Sequence, residues 1–142
     1  MRQIYTLIFC WALIFVSAQT SEVDSLQVIL AKSNQDSTRL RLFSNLSEVC
    51  SENDIAKYAN EAVAIGNKLI ASNNLSKAER KRTIKLLGTA YNNLGYYNGL
   101  KGKTPLSLDL FKQGLLMMEQ CHDTSGMASS YGNIAAIYYN QG

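Results

Sequence analysis

The chain has 142 residues, room for one domain, and its 46% apolar and 18% charged content excludes a disordered tail and a multi-span membrane protein. One Pro argues against a many-turned β protein, and one His with three scattered Cys leaves no ligand set for zinc. The formal charge of +3 is too small to imply a nucleic-acid partner.

Residues 1–18 read as a secretory signal peptide. Arg2 supplies the positive start, Ile4 to Val16 form an apolar run, and Val16-Ser17-Ala18 offer small residues for cleavage ahead of polar Gln19-Thr20-Ser21-Glu22. The rival reading is an uncleaved anchor, but the run is short for the ~30 Å of a bilayer core. Cys10 is not a lipidation site, because bulky Phe9 precedes it and the apolar run continues past it. The expected destination is therefore the periplasm or the exterior. There Cys50 and Cys121 could pair. The competing reading makes them two small apolar residues on separate helices.

After the leader, apolar residues recur in steps of three and four, the period of an amphipathic helix. The stripes are Val23, Leu26, Ile29 and Leu30; then Leu42, Leu46 and Val49; then Ala56, Ala59, Ala62, Val63 and Leu69. They continue with Ile84, Leu87, Tyr91 and Leu94, and with Leu108, Phe111, Leu115 and Met118. Caps are expected at Ser21, Asp36, Asn53-Asp54, Thr104-Pro105 and Asp123, and Ser76-Lys77-Ala78-Glu79 forms a complete capping box. The pattern predicts helices near 22–33, 37–51, 54–72, 77–101, 105–121 and 125–140, with short loops that make neighbours antiparallel. The expected fold is all-α. Residues 19–36 form a leading helix, and 37–142 a repeat region.

The chain repeats itself at an offset of 40 residues, Ala90-Tyr91-Asn92-Asn93-Leu94-Gly95-Tyr96 aligning with Ser130-Tyr131-Gly132-Asn133-Ile134-Ala135-Ala136. A weaker copy is Phe43-Ser44-Asn45-Leu46-Ser47. Each has a large aromatic, then Asn two residues on, Leu or Ile three on, and a small residue four on. This resembles the tetratricopeptide repeat, a helix pair with that pattern on its first helix. The resemblance implies antiparallel helix pairs stacked as a solenoid. It also implies a small residue, an aromatic and a second small residue on the partner helix, which fall on Ser107, Phe111 and Gly114. The sequence departs from the family in its longer period, against about 34, in Asn98 where Tyr is usual, and in Ala59 where the first copy should have an aromatic. The longer period, with Asp123, Gly126, Ala128 and Ser130 before the next unit, is similar to the exported repeat regions of Bacteroidetes-type regulators. There the repeats precede a membrane helix and a histidine kinase or DNA-binding output.

Gly142 falls at the turn toward a second helix, which would leave Ile134, Ile137 and Tyr138 uncovered. The expectation is a fragment with an incomplete last repeat; the alternative is that the last helix is itself the cap.

Asn45, Asn93 and Asn133 occupy one place in three repeats. The resemblance puts that place on the concave groove, with Tyr96 and Tyr139 as further contacts, and an Asn amide can donate to and accept from a peptide main chain. Packing is an equal explanation for Asn at this point of the repeat. Tyr91 and Tyr131 are expected to pack. His122, between Cys121 and Asp123, cannot gather three convergent ligands. Lys77, Arg80, Lys81, Arg82 and Lys85 read as a solvated face, the alternative being contact with phosphate or acidic lipid. The expected function is a non-catalytic module binding a protein or peptide. It needs no cofactor and no nucleic acid, and meets a membrane only through an uncleaved leader or a missing downstream segment. No nucleophile–base or carboxylate pair in a defined spacing supports an enzyme. The alternative function is the sensory input fragment of a longer membrane-bound signalling regulator.

Overall fold

The computed structural model describes residues 22–141. The expected signal peptide at 1–18 and its cleavage site lie outside the described residues.

Every regular element among the described residues is a helix. They are α1 (22–32), α2 (Asp36–Val49), α3 (Ile55–Ala71), α4 (Lys77–Leu100), α5 (Thr104–Gln120) and α6 (Thr124–Gln141). No helix among them is long and apolar enough to cross a membrane.

The helix starts use less side-chain capping than the sequence suggests. Ser76 caps α4 as expected: its Oγ accepts from the Glu79 N–H at 3.3 Å, and Glu79 Oε2 accepts from the Ser76 N–H at 2.9 Å. Asp36 does not cap α2. Gln35 takes that place without a side-chain bond, and Asp36 pairs with Lys68 of α3 at 2.8 Å. Asp54 stands at the N-cap of α3, but its carboxylate accepts from Ser51 Oγ at 2.9 Å. Lys103 rather than Thr104 precedes α5, with Pro105 in the first turn. Asp123 does hold the start of α6, accepting from the backbone N–H of Gly126 and Ser125.

The ends of α4 and α5 share one geometry. After α4, Lys103 N–H donates to Asn98 O and Gly102 N–H to Gly99 O, both at 2.9 Å. After α5, Asp123 N–H donates to Met118 O at 2.9 Å and His122 N–H to Glu119 O at 3.1 Å. This is the Schellman arrangement, which puts one residue in left-handed backbone. Those residues are Gly102 (φ 70°) and His122 (φ 55°).

Each helix from α2 onward packs on its sequence neighbour, and α4 also touches both α2 and α6, so α2, α4 and α6 form a row, with α3 packed on α2 and α4 and α5 packed on α4 and α6. The core lies at the α1–α4 end. Leu40, Phe43, Leu46, Tyr58, Ala62 and Ala90 form its buried cluster, and Val23, Leu26 and Leu30 of α1 cover it. Ala59 is buried in the place where the repeat pattern calls for an aromatic, and the ring comes instead from Tyr58, 6.4 Å from Phe43. Small residues set the α4–α5 spacing. A Cβ on Gly95 would lie 2.8 Å from the Phe111 ring, and Gly99 faces Ser107. Ser107 Oγ donates to Gly95 O at 2.6 Å. The expected trio Ser107, Phe111 and Gly114 is buried on one face of α5.

One packing expectation fails. Tyr91 is half-buried, but Tyr131 is 55% exposed. Among the described residues α6 packs only on α5 and α4, and Tyr131 is left in solvent. Ile134 and Ile137 are half-buried and Tyr138 is exposed, so α6 carries an open apolar face.

Candidate functional site

The row α2, α4, α6 encloses a polar cleft. Glu48 lines it from the end of α2, Lys85, Thr89, Asn92 and Asn93 from α4, and Ser125 and Ser129 from α6. Two adjacent amides tie the row together. Asn93 Nδ2 donates to Ser47 Oγ of α2 at 2.8 Å, and Asn92 Nδ2 donates to Ser130 Oγ of α6 at 2.9 Å. Neighbouring residues on a helix point about 100° apart, so α4 reaches one neighbour of the row with each side chain. Asn92 and Ser130 are buried, and the bond satisfies both in a place where an unpaired amide would be costly.

Of the five residues expected to contact a ligand, Asn93 lines the cleft, with one N–H spent on Ser47. Asn45, Tyr96 and Asn133 do not line the cleft; Asn45 stands about one turn before Glu48 on α2, and Tyr96 and Asn133 about one turn after Asn93 and Ser129 on α4 and α6. Asn45 and Asn133 are half-buried and Tyr96 is 48% exposed. Tyr139 lies well beyond Ser129 along α6, 88% exposed and away from the cleft. Asn92 is a packing residue as well as a cleft wall.

Thr89, Ser125 and Ser129 join the cleft without having stood out in the sequence. A signal for them exists: Thr89 and Ser129 precede Asn93 and Asn133 by one helical turn, and Lys85 and Ser125 by two, at equivalent places in the 40-residue repeat.

The electrostatics of the cleft centre on three side chains. Lys85 Nζ bonds Asp123 Oδ2 at 2.9 Å, which holds the Asp123 carboxyl below its ordinary range and raises the Lys85 ammonium. Glu48 is exposed as a residue, yet partial burial of its carboxyl raises its pKa, opposed in part by Lys85. The cleft therefore offers one carboxylate without a direct ionic partner, several hydroxyls and an amide carbonyl. Such a set can exchange hydrogen bonds with a polypeptide main chain. Among the described residues no group of three or more His, Cys, Asp or Glu could hold a metal ion. Cys50 is half-buried and Cys121 buried, both as free thiols, and burial pushes the Cys50 thiol up.

The remaining basic residues lie outside the cleft. Lys77, Lys81 and Arg82 are exposed, and Arg80 reaches back to Ile70 O at 3.5 Å. The chain matches no family model, no curated protein and no solved structure.

Proposed function

We propose that this chain is a tetratricopeptide-type solenoid that binds a protein or peptide segment along the row α2, α4, α6. It acts without catalysis, on the outer side of the cytoplasmic membrane. The observation that carries the reading is the polar cleft itself. Residues at equivalent places of the repeat, Thr89 with Ser129 and Lys85 with Ser125, line one hollow, and Asn93 stands among them. A solenoid presents equivalent positions as a continuous surface, which suits an extended ligand. The small-residue seam between α4 and α5 and the contacts α2 to α4 and α4 to α6 support the solenoid arrangement. The signal-like leader supports export.

A peptide recovered from a displayed random library tests this. Losing one amide contact costs roughly 0.5–1.5 kcal/mol, so Asn93→Ala should weaken binding less than about tenfold, and Asn93→Ala with Asn133→Ala more. Lys81→Ala with Arg82→Ala should leave peptide binding nearly unchanged at physiological salt. Loss of binding in the basic pair alone would move the ligand off the cleft.

The open aromatic face of α6, with Tyr131, Tyr138 and Tyr139 exposed, favours a second version of the same reading. In it the module is the sensory part of a longer membrane-bound regulator, and further helices cover that face. The DNA beyond the Gly142 codon separates the two versions.

A further inference from the structure

The first nine residues of α4 carry Lys77, Arg80, Lys81, Arg82 and Lys85 against one acid, Glu79. Cations are disfavoured only in the first turn, at Lys77 and Arg80, where the helix N-terminus bears partial positive charge; Lys81, Arg82 and Lys85 lie beyond it. Three of these side chains, Lys81, Arg82 and Lys85, line one hollow together with His122 from the α5–α6 turn. Among the described residues the only acid lining it is Asp123, which Lys85 already bonds at 2.9 Å. That ion pair separates the hollow from the cleft, since both residues line the two.

His122 is the second pointer. It occupies the left-handed position after α5 that Gly102 occupies after α4, within the same pair of backbone hydrogen bonds. Just past the end of α3, Asn73 also has left-handed backbone (φ 56°). Gly and Asn are the commonest residues there, and His is among the few others enriched in left-handed backbone. The end of α5 keeps an imidazole instead, and that imidazole lines the cationic hollow. What matters for binding is that the turn sets this ring against the same hollow as Lys81, Arg82 and Lys85.

We infer that this hollow binds a phosphate-sized oxyanion, held by Lys81, Arg82, Lys85 and a ring N–H of His122. Arg82 supplies a planar fork suited to two oxygens of a tetrahedral anion, and the lysines supply point charges. Lys85 can do so while keeping Asp123, since an ammonium has three donors. The inference is independent of peptide binding in the cleft.

The test is a titration of the 15N-labelled protein with inorganic phosphate, with glycerol phosphate and with sulfate, each against sodium chloride at matched ionic strength. Saturable shifts of the His122, Asp123 and Lys81 amides are expected with phosphate and not with chloride. Tighter binding of glycerol phosphate than of the free ion would assign the site to a phosphate ester, and the reverse order to the free anion. Lys81→Ala with Arg82→Ala should weaken binding at least tenfold. His122→Gly separates the anion role from a structural one: it should raise the melting temperature by relieving the left-handed backbone, yet weaken binding at least fivefold. Shifts no larger with phosphate than with chloride would overturn the inference. So would a His122→Gly protein that binds phosphate as tightly as the parent.

Discussion

Two glycine-to-alanine changes should move stability in opposite directions. Gly95 lies in the α4–α5 seam, where a new Cβ would sit 2.8 Å from Cδ1 and Cε1 of Phe111. Carbon atoms prefer about 3.5–4.0 Å, so the seam must open by roughly 0.7 Å or more. Phe111 is 3% exposed and has nowhere to swing. Overpacking of this kind costs about 1–3 kcal/mol, and stretching the Ser107 Oγ bond to Gly95 O forfeits about 1 kcal/mol more. Alanine's better helix propensity returns about 1 kcal/mol. The net loss for Gly95→Ala is then about 1–3 kcal/mol. Gly132, in the middle of α6, would have nothing within 4 Å of an added Cβ. Gly132→Ala should therefore gain about 0.5–1 kcal/mol. Urea unfolding followed by helical circular dichroism measures both, with equal slopes expected and midpoints displaced to opposite sides of the parent. Trimming the ring with Phe111→Leu on the Gly95→Ala background should recover part of the loss, with a coupling of at least about 0.5 kcal/mol. If both alanines shift the midpoint the same way, the close approach at Gly95 does not set the helix spacing.

Other outcomes follow from single features. Ser76→Ala should destabilise the protein by about 1 kcal/mol, read as a lower urea midpoint, because the α4 capping box loses its hydroxyl. The raised Glu48 carboxyl means that its folded form favours the proton; this contribution is present below the ordinary Glu range and lost as pH rises through the raised value. Glu48→Gln should thus gain stability relative to the parent as pH increases from about 4 to about 7, in thermal melts at about half-unit steps. The Asp123 carboxyl is shifted the other way by Lys85, so its contribution is present above the ordinary Asp range and lost as pH falls through the lowered value. Asp123→Asn should erase that acid-side loss in the same melts. If residues 1–18 act as a cleaved leader, the full chain expressed in a bacterium with two membranes should yield a protein that begins at Gln19 by intact-mass measurement. An N-terminus at Met1 would support the anchor reading.

The helices are legible in the sequence because capping residues and apolar stripes agree locally. The start of α4 at Lys77 follows directly from Ser76 and Glu79, and its end at Leu100 falls one residue short of expectation. The α4–α5 seam is legible through the repeat resemblance, which implies small, aromatic and small residues where Ser107, Phe111 and Gly114 stand. The cleft is legible only in part. The repeat singles out Asn93, which aligns with Asn45 and Asn133, but not what either amide bonds; only the packing of the neighbouring helices turns Asn92 toward Ser130 and Asn93 toward Ser47. Thr89, Ser125 and Ser129 are short polar residues of the kind found on any exposed helix, and three helices must meet before they share a hollow. Tyr131 departs from expectation because its match to Tyr91 in sequence carries no information about which helix lies against it. Asp36 departs because its carboxylate has a cation on α3, Lys68, as a competing partner.

If the row α2, α4, α6 is where a polypeptide ligand lies, amide shift mapping will show it most directly. The 15N-labelled protein would be titrated with a peptide selected for binding. Saturable shifts should gather at Thr89, Asn93, Ser125 and Ser129 and extend toward Asn45, Tyr96 and Asn133. Asn93→Ala with Asn133→Ala should weaken the same titration. Shifts gathered instead on the outer residues of α3 and α5, around exposed Glu61 and Lys112, would contradict a ligand lying along this row.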